Sequence, residues 1–211
     1  LGREVAIEPQ VEQAVRDLGM QTERVAGADR FATAVAIARE LGDPTSLLLA
    51  TGRNFPDALS AGAAAARIGG AVLLTEPDRP HPSTDAYLAD RANEDLELWG
   101  VGGPSARAYP SSSTPLVGAD RVATSVLVAG QFFTDPTAVG IATSERFPDA
   151  LTGGVHVAAR GGPMLLAPPT TVPTVLRDYL CAHEDVIDET FLYGGTLVIS
   201  EVVREVVVSL T

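Results

Sequence analysis

Short apolar runs alternate along this chain with longer stretches in which apolar residues recur every three or four positions. Val11, Ala14, Val15 and Leu18 fall at helical spacing after the start signal Glu8-Pro9, and Gly19 ends that run. Asp29 is placed to cap a second helix that buries Phe31, Val35, Ala38 and Leu41 and closes at Gly42. The runs 46–50, 71–75 and 95–101 are too short and too apolar for surface helices and predict buried strands. Helical stretches over 58–68 and 84–92 separate them, the second reached through a loop containing Pro77, Pro80 and Pro82. Strands alternating with helices predict an α/β fold in which a small, mainly parallel sheet is flanked by helices in three layers.

From Val117 the order begins again. Gly118-Ala119-Asp120-Arg121 answers Gly27-Ala28-Asp29-Arg30 at a shift of 91 residues. Phe147-Pro148-Asp149 answers Phe55-Pro56-Asp57, Met164-Leu165-Leu166 answers Val72-Leu73-Leu74, and Gly194-Gly195 answers Gly102-Gly103, each at 92. Four blocks in one order at a near-constant period mean a duplicated unit. The second copy continues past Gly195 into a helical tail over 201–210, and Leu1 to Leu18 has the same shape, with Ile7 answering Ile199. Residues 1–23 are therefore expected to be the tail helix of a preceding or permuted repeat. Residues 24–113 form the first unit and 114–211 the second. Between Gly103 and Gly118 the first unit has only a Ser- and Pro-rich stretch, so its tail helix is expected to be lost or shortened to a loop. The N-terminal helix is expected to dock on the first core in its place.

Composition narrows the function. The 211 residues are 45% hydrophobic and 20% charged, enough for a real core. The net charge is −12, and all 15 basic residues are arginine. An acidic chain argues against non-specific nucleic-acid binding and against docking on an anionic membrane surface. The most apolar stretch, 58–75, carries Arg67 and Gly69-Gly70 and reads as helix, turn and strand, with no membrane insertion. A single cysteine, Cys181, excludes an internal disulfide framework and a cysteine-based metal site. No secretory signal segment stands at the start, as expected of a mature chain or an excised region.

The twice-written turn Asn54-Phe55-Pro56-Asp57 and Arg146-Phe147-Pro148-Asp149 carries the candidate chemistry. Proline suits the first helical position and a carboxylate suits the first turn. Asp57 and Asp149 are thus either helix-start residues or hydrogen-bonding groups for a saccharide hydroxyl; a carboxylate there already occupies the place an anion would take. Arg30 and Arg121, each beside a capping aspartate (Asp29, Asp120), could hold a phosphate or carboxylate through their forked guanidinium groups. The plain alternative is an ion pair within one unit, with Asp57 or Asp149. Asn54 is a further ligand candidate, whereas Arg53 and Arg146 support only unit-specific contacts because Glu145 stands where Arg53 maps. Gly102-Gly103 and Gly194-Gly195 offer either a tight turn or a pocket of backbone N–H groups; the dinucleotide fingerprint fails at Pro104 and Ser105, so no cofactor is expected. His81, His156 and His183 do not recur at the repeat period, which leaves no catalytic triad or metal site in view.

The blocks Arg24-Val25-Ala26-Gly27-Ala28-Asp29-Arg30-Phe31-Ala32-Thr33-Ala34, Ala50-Thr51, Asn54 to Leu59, Val72 to Thr75 and Gly102-Gly103-Pro104 resemble the bacterial cell-wall-binding repeat family, type 2. The second copy repeats most of them. That resemblance implies Rossmann-like or toprim-like modules used in sets, usually of three, on secreted surface proteins. It implies non-covalent attachment to an anionic wall polymer, teichoic-acid-like or another anionic glycan, in an extracellular, wall-associated setting. Self-association or a further repeat is the additional partner it suggests. The expected function is a non-catalytic anchor with repeated weak sites. The alternatives are a scaffold for an extracellular enzyme acting on glycan or peptide, with His156 the first group to test, and a structural or adhesive module contacting other proteins.

Overall fold

The computed structural model describes residues 1–210; Thr211, the last residue of the expected second unit, lies outside them. Two parallel sheets form. The first has the order β2-β1-β3-β4, built from β1 (Ser46–Thr51), β2 (Ala71–Thr75), β3 (Glu97–Val101) and β4 (Thr114–Leu116). The second has the order β6-β5-β7, built from β5 (Ala138–Thr143), β6 (Met164–Ala167) and β7 (Glu189–Tyr193). Leu47 pairs with Ala71 and Leu98, and Gly140 pairs with Met164 and Phe191, so the first three strands of each sheet share one plan.

In the first unit the helices are α2 (Arg30–Glu40), α3 (Pro56–Ile68), α4 (Pro82–Asp90) and α5 (Gly103–Ala108). Those of the second are α6 (Arg121–Phe132), α7 (Pro148–Ala159), α8 (Thr174–Ala182) and α9 (Glu201–Val208). β1 is buried on both faces, which explains its unbroken apolar run. Leu47 and Leu49 turn toward α2, α4 and α5, where they meet Val35, Ala38, Tyr87 and Ala108. Leu48 turns the other way, onto α3.

Helix α3 joins the two units. Leu59, Ala61 and Ala63 to Ala65 pack in one cluster with Leu48 and Val101 of the first sheet and with Val128, Ala142, Ala150, Met164 and Leu166 of the second unit. Its alanines and Gly62 let α6 and α7 come close, because a small side chain keeps neighbouring backbones near each other. Strand β3 adds Trp99, which meets Phe132 of α6 edge-on at 5.1 Å between ring centroids.

Two expectations are corrected. The stretch after Gly103 is not a bare loop: it makes the six-residue α5 and then β4, whose Trp99–Thr114 and Val101–Leu116 register extends the first sheet. Pro115 is tolerated there because β4 is an edge strand that lacks a partner on its outer side. Residues that repeat alignment gives to the second copy thus hydrogen-bond to the sheet of the first. This α5 begins directly at Gly103, whereas α9 begins six residues after Gly195. The second correction concerns α1 (Pro9–Asp17), which has no buried residue and does not dock on the first core. It is tied instead to the segment before α2: Arg24 donates to Glu12 and to the carbonyl of Gly2, and Gly2 N–H donates to Val25 O at 3.0 Å. The expectation of docking fails because Val11 and Leu18 stay exposed, so the helix's apolar spacing is not matched by burial.

Removing residues 1–21 is therefore expected to change the free energy of unfolding by less than about 1 kcal/mol, since exposed contacts contribute little. Leu48→Ala, which empties a fully buried site against α3, is expected to cost about 2–5 kcal/mol. Urea denaturation of both variants checks the contrast.

Candidate functional site at the junction of the two units

The two capping aspartates act as the sequence suggests. Asp29 Oδ1 accepts from Ala32 N–H at 2.8 Å, and Asp120 Oδ1 accepts from Ala123 N–H at 2.9 Å. Each fixes the first turn of its helix and so aims the following arginine. Arg30 donates to the carbonyl of Gly52 at 2.8 Å, and Arg121 donates to that of Ser144 at 2.6 Å. Both arginines therefore reach the loop just past the central strand of their own unit.

The ion pair expected within one unit does not form. Arg30 and Arg121 spend their contact on a carbonyl, and the charged side chain that acts on Asp57 is Arg121, from the other unit. The chain path explains this. β4 carries the backbone from the first sheet directly into α6, with Gly102 N–H donating to Leu116 O at 2.9 Å. The start of α6 is thereby held beside the end of β3 and the start of α3. Arg30 has no such neighbour from a preceding unit, and Asp149 has none from a following one among the described residues.

Asp57 is mostly buried, and its carboxylate accepts no hydrogen bond from the described residues. Burial pushes its carboxyl up to about 6, with the Arg121 guanidinium opposing the shift. Gly102 explains how the carboxylate fits. A Cβ there would lie 2.0 Å from Asp57 Oδ2, and the backbone is left-handed at φ +82°. Gly194 repeats the arrangement in looser form, at φ +124° with a Cβ position 3.1 Å from Asp149 Oδ2. Gly102 and Gly194 thus seat a carboxylate; they do not open an N–H pocket. Gly103 starts α5, and Gly195 O accepts from Val198 and Ile199 N–H.

Asn54 is exposed and its Oδ1 accepts from Phe55 N–H at 3.0 Å, leaving its amide nitrogen unused. Arg53 is committed elsewhere. Its guanidinium donates to Glu76 at 2.7 and 2.5 Å and lies 5.7 Å from the ring of Phe31, which stacks on His81 at 3.9 Å. Arg146 is exposed and makes no hydrogen bond or ion pair with the described residues. His156 shares a 2.8 Å hydrogen bond with the Tyr193 hydroxyl and meets the edge of Phe191; no carboxylate or nucleophile completes an acid–base set around it. Among the described residues no cluster of three or more histidine, cysteine, aspartate or glutamate side chains could hold a metal ion. Among the described residues no helix is long and apolar enough to cross a membrane.

Reading the two copies separately misses the electrostatic influence of Arg121 on Asp57 and the meeting of Phe55 with Phe147 across the junction, at 5.6 Å between ring centroids. The available signal is the short spacing between Gly103 and Gly118, too short to hold a full tail helix and so a sign that the next unit starts close by.

Two outcomes follow from this geometry. Gly69 also has positive φ but open space around its Cβ position, so Gly69→Ala is expected to cost about 1 kcal/mol. Gly102→Ala is expected to cost at least twice that by chemical denaturation, because the added carbon meets Asp57. Asp57 takes up its proton at higher pH folded than unfolded, so its ionisation opposes folding above about pH 6 and that penalty fades as pH falls toward 4. Asp57→Asn is expected to raise stability by about 1–3 kcal/mol at pH 8 and by nothing below pH 4, since each tenfold loss of acidity on folding is worth about 1.4 kcal/mol. Melting curves of both proteins across that range check it.

A family model described as cell wall binding domain 2 (CWB2) matches residues 24–107 and again 116–204. The chain is 21% identical over 180 residues to the N-acetylmuramoyl-L-alanine amidase LytC of Bacillus subtilis (strain 168), covering 84% of this chain and 36% of that protein. It is 26% identical over 193 residues to the amidase enhancer of the same organism, covering 87% of this chain and 26% of that protein. The chain thus spans well under half the length of these relatives. In fold it is similar to Cwp8 from Clostridium difficile, with a TM-score of 0.82 at 21% identity over 100% of this chain and 38% of that one. It is likewise similar to Cwp6 from Clostridium difficile, with a TM-score of 0.78 at 22% identity over 96% and 33%. With both repeats matched in order over most of its length, the chain belongs to the cell wall binding domain 2 family and is a cell-wall-binding module.

Proposed function

We propose that this module is a non-catalytic anchor that holds a secreted bacterial protein to an anionic polymer of the wall. The observation that carries the reading is the family match across both repeats, joined to the chemistry at their junction. There Arg121 keeps guanidinium donors beyond the one bound to Ser144, Arg146 is unpaired, and Asp57 keeps free acceptor positions. An anionic glycan offers phosphate or carboxylate groups to such arginines and hydroxyls to such a carboxylate. For a chain of charge −12, gathered arginines, screening at high ionic strength or bridging divalent cations reconcile the net charge with an anionic polymer. The Asp57–Arg121 arrangement needs two adjacent units, so Arg30 and Asp149 are half-sites in this chain. Repeated weak sites would add strength through avidity wherever further units supply the missing halves.

A second reading, a wall-binding scaffold beside a catalytic domain, is favoured by one observation: the chain matches only 36% of an amidase. On that reading the chemistry lies outside the 211 residues.

Retention on purified cell wall, before and after its anionic polymers are stripped, tests the proposal. Binding is expected to fall at least tenfold on stripped wall, and equal retention would overturn the anchoring role. Arg30→Ala alone is expected to have little effect, whereas Arg121→Ala weakens retention several-fold while the circular dichroism spectrum stays unchanged.

A further inference from the structure

Phenylalanine occupies the capping position before both α3 and α7, and neither Phe55 nor Phe147 makes a side-chain cap. Asp29, Asp120 and Ser200 do cap their helices. A phenyl ring cannot accept a hydrogen bond from first-turn N–H groups, so each repeat forgoes a side-chain cap at this place. A residue that breaks a local rule in both copies calls for another use. The two rings meet across the junction at 5.6 Å, tilted by 55°. Phe55 packs partly against the shared core, but Phe147 remains 48% exposed. If unit-to-unit adhesion were the sole role of the pair, burying the Phe147 ring would stabilise the contact further.

The surroundings of the rings are polar and unspent. Next to Phe147 in the chain stands unpaired Arg146, and next to Phe55 stands Asn54 with a free amide nitrogen. Asp57 lies in the first turn of α3, which Phe55 precedes, and Arg121, at the start of α6, acts on its carboxyl. A pyranose ring has an apolar face of C–H groups and a rim of hydroxyls. A flat aromatic surface with hydrogen-bonding groups at its margin is the complementary shape, in the manner of mostly apolar ligand sites with a few placed polar groups.

We propose that the exposed ring of Phe147, braced by the tilted ring of Phe55, forms a saccharide-stacking face at the unit junction, on which a sugar ring of the wall polymer lies while Asn54 and Arg146 contact its rim. This rests on the wall-anchoring reading above. It adds that recognition includes the neutral body of the sugar as well as its charge, and that the site exists only where two units meet.

The test is calorimetric titration of the intact chain with purified anionic wall glycopolymer at low and high salt. Phe147→Leu keeps apolar bulk for the contact with Phe55 but removes the flat ring, and it is expected to lower affinity at least fivefold at both salt concentrations. Phe147→Trp is expected to keep wild-type affinity, and Arg146→Gln to weaken binding mainly at low salt, since exposed ionic contacts are screened. Wild-type affinity in Phe147→Leu, with its melting temperature intact, would overturn the stacking face and leave anchoring in place. Failure of the unaltered chain to bind the glycopolymer would overturn both.

Discussion

Helix α3 is the element on which the rest of the structure depends. It covers one face of the first sheet and at the same time lies against α6 and α7 of the second unit, so its alanines belong to two cores at once. Close approach on several sides requires small side chains, and the run Ser60 to Ala66 supplies them. Because interiors pack at crystal-like density, such an interface fixes the two units as one body. Trp99 against Phe132 and the crossing of β4 into α6 reinforce the same joint.

That joint decides which charged groups of the two units come together. Asp57 starts α3, Gly102 seats its carboxylate, and Arg121 arrives from the next unit because β4 is too short to let α6 start anywhere else. A carboxylate raised to about 6 and held without a hydrogen bond is costly by itself, as burial of a charge always is. At the joint the Arg121 guanidinium offsets part of that cost. The outer edge of the first unit shows the contrast: there Arg53, Glu76, Phe31 and His81 satisfy one another and leave little for a ligand.

Much of the fold is legible in the sequence. The strand runs, the capping aspartates, the proline at the first helical position and the duplication all follow from local rules that the structure obeys. Less legible are the features set by contact between copies. β4 is hidden because a three-residue edge strand containing proline carries no strand pattern. The undocked α1 is misleading because helical spacing of Val11, Ala14, Val15 and Leu18 says that a face is apolar, not what covers it. Arg30 and Arg121 look identical in the repeat, yet among the described residues only Arg121 acts on an aspartate of the other unit, and no property of either residue alone distinguishes them.

A two-dimensional NMR titration of the intact, isotope-labelled chain with a soluble fragment of anionic wall polymer probes the junction site most directly. Binding at the joint should move the amide signals of residues 54–57, 120–122 and 144–149 together, in one saturable step. Shifts gathered instead around Arg53 and Glu76, or around His156 and Tyr193, with the junction signals unmoved, would contradict it.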